Sequence, residues 1–247
     1  MRSRFVILLA ALAVLASCGN DDTATNPPPL AQPDTTTPRD NQEAEEAALW
    51  LSGELLAPQD LYETIRDDLA VIRSEYLDSI PETGTTFFPI WVVTEIIIYP
   101  DEVTWEKLRN HEPNAVDSLN TVFHATELDS LRIGVHLLGI ITFEGRLHPQ
   151  RLSEIYAAQH GVIFAEPNGY AGDWSNVYPW EHNGKMTYLF RLGGGDCPSG
   201  CTENTFWYFR RVAGQTDYVG TFVWPGDPEP NWWAEAKAAF LYFRTGS

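Results

Sequence analysis

The chain is 247 residues long, 44% apolar and 13% aromatic with nine tryptophans, so it holds enough apolar mass for a substantial core. Its 34 acidic residues outnumber 16 basic ones and leave a formal charge of -18. A field of that sign repels nucleic acid and anionic head groups, which excludes a nucleic-acid function and leaves a cationic partner or surface calcium as the charged alternatives.

Arg2 and Arg4 precede an unbroken apolar run, Phe5 to Val14, which has the length of a signal-peptide core and is too short for a membrane span. The run leads into Leu15-Ala16-Ser17-Cys18, which resembles the lipobox of bacterial lipoproteins. The resemblance implies export, cleavage before Cys18 and acylation of its thiol and new amino group. Several acyl chains together anchor firmly where a single one binds only marginally. The membrane is then a partner through the lipid on Cys18. In that family Gly19, in place of Asp, implies the outer membrane. Asp21 and Asp22 resemble the acidic stretch that sends some lipoproteins to the cell surface, so the periplasmic and surface sides both stay open.

Residues 19–46 carry five prolines, seven acidic residues and no aromatic residue, a composition that buries too little apolar surface to order itself. The expectation is a disordered tether spanning about 30 Å as a coil, followed by a single domain over 47–247. In that domain Leu49 to Leu55 reads as a short strand, and Leu61, Ile65, Leu69, Ile72 and Tyr76 recur at helical spacing after Pro58. Phe87 to Tyr99 reads as a buried strand, and Thr104 to Arg109 and Ala115 to Ala125 as two helical pieces parted by Pro113. Ile133 to Phe143 is strand-like, Pro149 to Gln159 a helix with Gly161 at its C-cap, and Val162 to Ala165 the next strand. Met186 to Leu192, Thr205 to Val212 and Tyr218 to Trp224 form an antiparallel meander, and a last helix runs from about Trp232 to Phe243. This order predicts an α+β fold, a mainly antiparallel sheet with helices on one face.

The stretch Ile140 to Asn168 resembles half of a ferredoxin-like unit, and Gly161 to Asn168 is similar to the corresponding strand of subtilisin-type propeptides. Glu95 to Leu108 is the candidate for the matching first βα. The resemblance implies a ferredoxin-like part and, as one functional alternative, a propeptide-like protease inhibitor. Gly161 to Gly172 together with Gly195 to Cys201 is also similar to bacterial envelope lipoproteins that carry no assigned activity.

Cys197 and Cys201 are the cysteines left once Cys18 is acylated, and Pro198 and Gly200 make a tight turn between them. In an oxidising compartment a disulfide is expected there, contributing about 2 kcal/mol by closing a short loop. A redox pair more often has two intervening residues, and zinc needs further ligands. The six histidines are isolated, and Asp227-x-Glu229-x-Asn231 lacks the glycine and the final glutamate of a calcium loop, so no metal or other cofactor is expected. No nucleophile elbow or phosphate loop is present; a pair of glycosidase carboxylates leaves no short motif, so a cell-envelope hydrolase stays open. The candidate binding stretch is Gly169 to Trp180. There Tyr170, Trp174, Tyr178 and Trp180 offer flat faces to sugar rings or peptide side chains, and Asp173 and Asn176 offer polar partners. The competing reading is that these rings cap a sheet edge beside the Cys197 turn. The leading functional expectation is a non-catalytic binding module with an envelope glycan or protein as partner.

Overall fold

The computed structural model describes residues 39–133 and 136–245; the expected signal segment, Cys18 and the tether up to residue 38 lie outside the described residues. Along the described chain run α1 (Gln42–Ser52), α2 (Gln59–Tyr76), β1 (Trp91–Pro100), α3 (Glu102–Arg109), α4 (Ala115–Val122), β2 (Ala125–Ile133) and β3 (His136–Phe143). There follow α5 (Pro149–Ala157), β4 (Val162–Gly169), β5 (Asn176–His182), β6 (Lys185–Gly194), β7 (Glu203–Val212), β8 (Gln215–Trp224) and α6 (Trp233–Thr245). The strands form two four-stranded sheets, ordered β2-β3-β1-β4 and β5-β6-β7-β8, and all their pairings are antiparallel. The fold class is α+β.

Residues 91–169 follow the sequence βαββαβ, with the helical region between β1 and β2 split into α3 and α4. The sheet order, 4-1-3-2 from the β4 edge, is that of a ferredoxin-like unit, with β1–α3 as its first βα. The β-branched run of β1 turns Ile96 and Ile98 inward, fully buried with Ile141, Leu152 and Tyr156 under the helices. Asp101 caps α3 by accepting from the Thr104 amide at 2.7 Å, and Asn114 caps α4 by accepting from Asp117 N at 3.0 Å. The buried Tyr156 hydroxyl donates to Asn120 Oδ1 at 2.8 Å and ties α5 to α4. Gly161 has φ 85°, and a Cβ there would meet Thr104 Oγ1 at 1.9 Å, so only glycine lets β4 start against the α3 cap. The C-cap of α5 is Ala158 rather than Gly161.

The inner strands of the second sheet are buried on both faces, because helices cover both. On one side α6 packs Phe240 against Tyr178 (5.5 Å) and Phe206 (5.3 Å), and Trp233 against Phe206 (4.6 Å). On the other, α2 sets Tyr76 against Phe209 at 5.1 Å, and Asp68 accepts from Tyr188 Oη at 2.9 Å and Arg211 Nε at 2.9 Å. The apolar positions of α2 expected from spacing are those that face inward, with Ile65, Leu69 and Ile72 buried.

Three expectations are corrected. Leu49 to Leu55 is not a strand: Asn41 accepts from Ala44 N at 3.0 Å and starts a helix that runs through Ser52. The expected tether therefore ends by residue 39, since residues 39–46 are folded and charged side chains in them are held. Glu43 takes two hydrogen bonds from Arg73, at 2.6 and 2.8 Å, and one from Phe87 N, while Glu45 pairs with Arg146 at 2.9 Å. The single sheet with helices on one face is two sheets; β2 follows on from the helix expected to end at Ala125, and β5 runs through a stretch expected to be turns.

Removing residues 1–46 should lower stability by about 3–5 kcal/mol or more in guanidinium unfolding, because Arg73 would lose its charge partner inside the fold. His148, stacked on Trp50 at 5.4 Å, has its pKa pushed down, chiefly by burial and next by the Arg151 charge. A depressed histidine stabilises above its ordinary value of 6.5 and loses that contribution as the pH falls through its folded value. Stability should thus fall between pH 7 and pH 5, and His148→Phe, which keeps the stack, should flatten that slope in melting curves.

Candidate functional site

The candidate binding stretch divides at Asn176. Residues 170–175 form a loop between the two sheets, whereas Asn176 onward is β5. Tyr170 is 45% exposed and Trp174 is 54% exposed, while Tyr178 and Trp180 are 2% and 8% exposed. Trp180 stacks on Tyr208 at 5.3 Å inside the α6 core and is not part of the cleft, which corrects its expected place there. Tyr178 lies beneath the loop, packed on Phe240 and Phe243, and forms the floor.

Tyr170, Trp174 and Tyr178 line a cleft of about 120 Å³ together with Phe88, Ile90, Asp173, Phe243 and Arg244. Phe88 is the ring that brings the two exposed ones together, with centroids 4.7 Å from Tyr170 and 5.9 Å from Trp174. It is held by Asn176, whose Oδ1 accepts from Phe88 N at 2.8 Å and whose Nδ2 donates to Phe88 O at 2.6 Å. The Tyr170 amide donates to Ile90 O at 3.1 Å and closes the same side. Asn176, expected to meet ligand hydroxyls, is thus a clamp on a wall of the cleft.

Asp173 is likewise engaged within the protein. The Arg191 side chain is fully buried, and its Nη1 and Nη2 each donate to a different Asp173 oxygen at 2.6 Å. Arg191 also donates to Asn204 Oδ1 at 2.6 Å, Trp174 O at 3.0 Å and Tyr178 Oη at 3.1 Å. Amides of Trp174 and Cys201 add to the Asp173 carboxylate at 3.0 and 3.2 Å. Burial opposes its ionisation most strongly, yet the Arg191 hydrogen bonds and charge, the Cys201 amide and Arg244 together hold its pKa below the usual carboxylate value.

Cys197 and Cys201 are joined by a disulfide, and the hairpin they close is bonded to the loop by Asp173 N donating to Cys197 O at 2.9 Å. A Cβ on Gly193 would stand 2.6 Å from Cys201 Sγ, so the glycine run in β6 is what lets the hairpin lie on the sheet. Among the described residues no group of three or more His, Cys, Asp or Glu side chains is placed to hold a metal. Asp227 instead accepts from Val223 N at 3.1 Å, and Glu229 lies 3.6 Å from Lys237. A larger open groove of about 580 Å³ lies beside Tyr99, Trp105 and Phe164, away from the loop.

The chain matches no protein-family model, and no curated protein or solved structure is significantly similar to it.

Phe88, Arg191 and Arg244 belong to the site and were not marked by the sequence reading. Arg191 left a trace, as the lone charge inside Tyr188-Leu189-Phe190-Arg191-Leu192. Asp173→Asn should cost about 3–5 kcal/mol, since it strips the charge partner from a buried guanidinium. The depressed Asp173 pKa contributes stability that is present above about pH 4 and is lost as the pH falls through the folded value. Acid titration of the unfolding midpoint should therefore be flatter in Asp173→Asn than in the wild type below pH 4.

Proposed function

We propose that this protein is a lipid-anchored envelope module that binds a sugar ring of a cell-envelope glycan in the cleft between Phe88, Tyr170 and Trp174. The observation that carries this reading is the pair of half-exposed rings, Tyr170 and Trp174, held at fixed distances from Phe88 over a buried floor. Exposed tryptophan and tyrosine faces are unfavourable in water unless something stacks on them, and here the backbone around them is pinned by Asn176 and Asp173. The cleft of about 120 Å³ is well below the roughly 300–1,000 Å³ of drug-sized sites, a size suited to one ring of a longer chain.

A hydrolase reading draws less support from this cleft. Its lining contains one carboxylate, Asp173, whose oxygens are already taken by Arg191 and two amides. A glycosidase needs two carboxyl groups facing the bond it cleaves. The ferredoxin-like topology of residues 91–169 favours a second reading, a propeptide-like inhibitor. In such propeptides the segment after the last strand is free to enter a protease, whereas here the Tyr170 amide bonds Ile90 O and the chain continues into β5. Saturable inhibition of a subtilisin-type protease would support that reading; plain digestion of the domain would remove it.

The anchor rests on Leu15 to Cys18. In Cys18→Ser the protein should move from the membrane to the soluble fraction, and unchanged membrane association would sink the anchor. For the cleft, Trp174→Ala should shift stability by no more than about 1 kcal/mol while abolishing glycan binding. Trp180→Ala, by contrast, removes a buried ring and should cost about 3–5 kcal/mol. Equal stability losses in the two variants, with unaltered glycan binding by Trp174→Ala, would remove the cleft from the function.

A further inference from the structure

We propose that the sugar ring bound in the cleft carries a carboxylate and that Arg244 is the residue that reads it. This deepens the glycan reading above and rests on it. Asp173 and Arg244 are the charged residues in the cleft lining, and they are in opposite situations. The Asp173 carboxylate is covered: Arg191 engages both of its oxygens, and the amides of Trp174 and Cys201 add to them. Both of its charge-assisted bonds, at 2.6 Å, come from Arg191, and Arg244 adds only its charge from 3.7 Å.

Arg244 is the surplus cation of this group. Its side chain is 39% exposed and its nearest carboxylate oxygen, Asp173 Oδ2, is 3.7 Å away, beyond hydrogen-bond length. Among the described residues its guanidinium makes no hydrogen bond. It is positioned instead by the Phe240 ring, 5.3 Å from its Cζ, and by Gly200 of the disulfide hairpin, where a Cβ would stand 3.4 Å from Nη2. A planar fork of N–H donors, held by stacking and left without acceptors, matches the two oxygens of a carboxylate. In a chain of net charge -18 the surface in general repels an acid, so recognition of one requires a local cation such as this. A uronic acid offers both features the cleft answers: a ring with an apolar face for Tyr170 and Trp174, and a carboxylate on its edge for Arg244.

The probes are two trisaccharides with the same β-1,4-linked manno backbone, mannotriose and its uronic form, trimannuronate, titrated calorimetrically into the purified full-length protein. Trimannuronate should bind about tenfold or more tightly than mannotriose, the scale of a charge-assisted hydrogen bond. Arg244→Gln should remove that preference by weakening trimannuronate about tenfold more than mannotriose, and Trp174→Ala should weaken both ligands. Arg244→Lys keeps the charge without the fork and should recover part of the preference, which guards against a folding defect in the glutamine variant. Equal affinity for the two trisaccharides, or a preference that survives Arg244→Gln, overturns the role of Arg244 and leaves the cleft as a neutral-sugar site. Binding of neither trisaccharide by the wild type overturns the glycan reading and this inference with it.

Discussion

Burying the Arg191 guanidinium sets the strongest constraint on this molecule. A charge taken out of water is tolerated only when its hydrogen-bonding groups are answered, and a single unanswered partner costs several kcal/mol. Arg191 is answered from several separate pieces of chain: Asp173 and Trp174 O from the loop, Tyr178 from β5 and Asn204 from β7, with the Phe240 ring of α6 5.2 Å from its Cζ. None of these can move far without stranding the charge. The loop between the sheets, which would otherwise have little to hold it, is thereby fixed from below, and its two exposed rings inherit that rigidity.

The two sheets show contrasting ways of closing a core. The first covers one face with α3, α4 and α5 through aliphatic side chains, Ile96, Ile98, Ile141 and Leu152. The second has helices on both faces and relies on rings: Tyr178, Phe206, Phe222, Trp233 and Phe240 pack together on the α6 side, and Phe209 packs with Tyr76 and Tyr218 on the α2 side. Aromatic pairs add direction to burial, since edge-on and tilted contacts fix the relative rotation of strand and helix. That is where most of the unusual tryptophan and phenylalanine content of the chain is used.

Periodicity made much of this architecture readable. The inward residues of α2, the existence of β6 to β8 and the half-unit over Ile140 to Asn168 all follow from spacing and β-branching that agree with burial. Two strands escaped. β2 reads Ala125-Thr126-Glu127-Leu128-Asp129, an edge strand with solvated acids and no apolar run to mark it. β5 hides within small and aromatic residues that resemble a loop, and its Pro179 counts against a strand. The aromatic stretch was visible as a candidate site, but its division was not. Which rings face solvent depends on where β5 begins, and that is set by the Asn176 clamp to Phe88, a contact 88 residues apart in sequence. Arg244 carries no local mark at all, because its meaning comes from what Asp173 has already spent on Arg191.

Helix α1 sits where the described chain enters the fold, and it is clamped at two sites in different directions. Glu43 is bolted to α2 through Arg73 and accepts directly from the Phe87 amide, while Glu45 and Glu46 meet Arg146 in the loop after β3, at 2.9 and 3.4 Å. A pull arriving from the residues before Arg39 would be met by a helix loaded along its length, so several ion pairs and the packing of Ala44, Ala47 and Ala48 would have to slide together. Shear of that kind resists force far better than the sequential peeling of one strand.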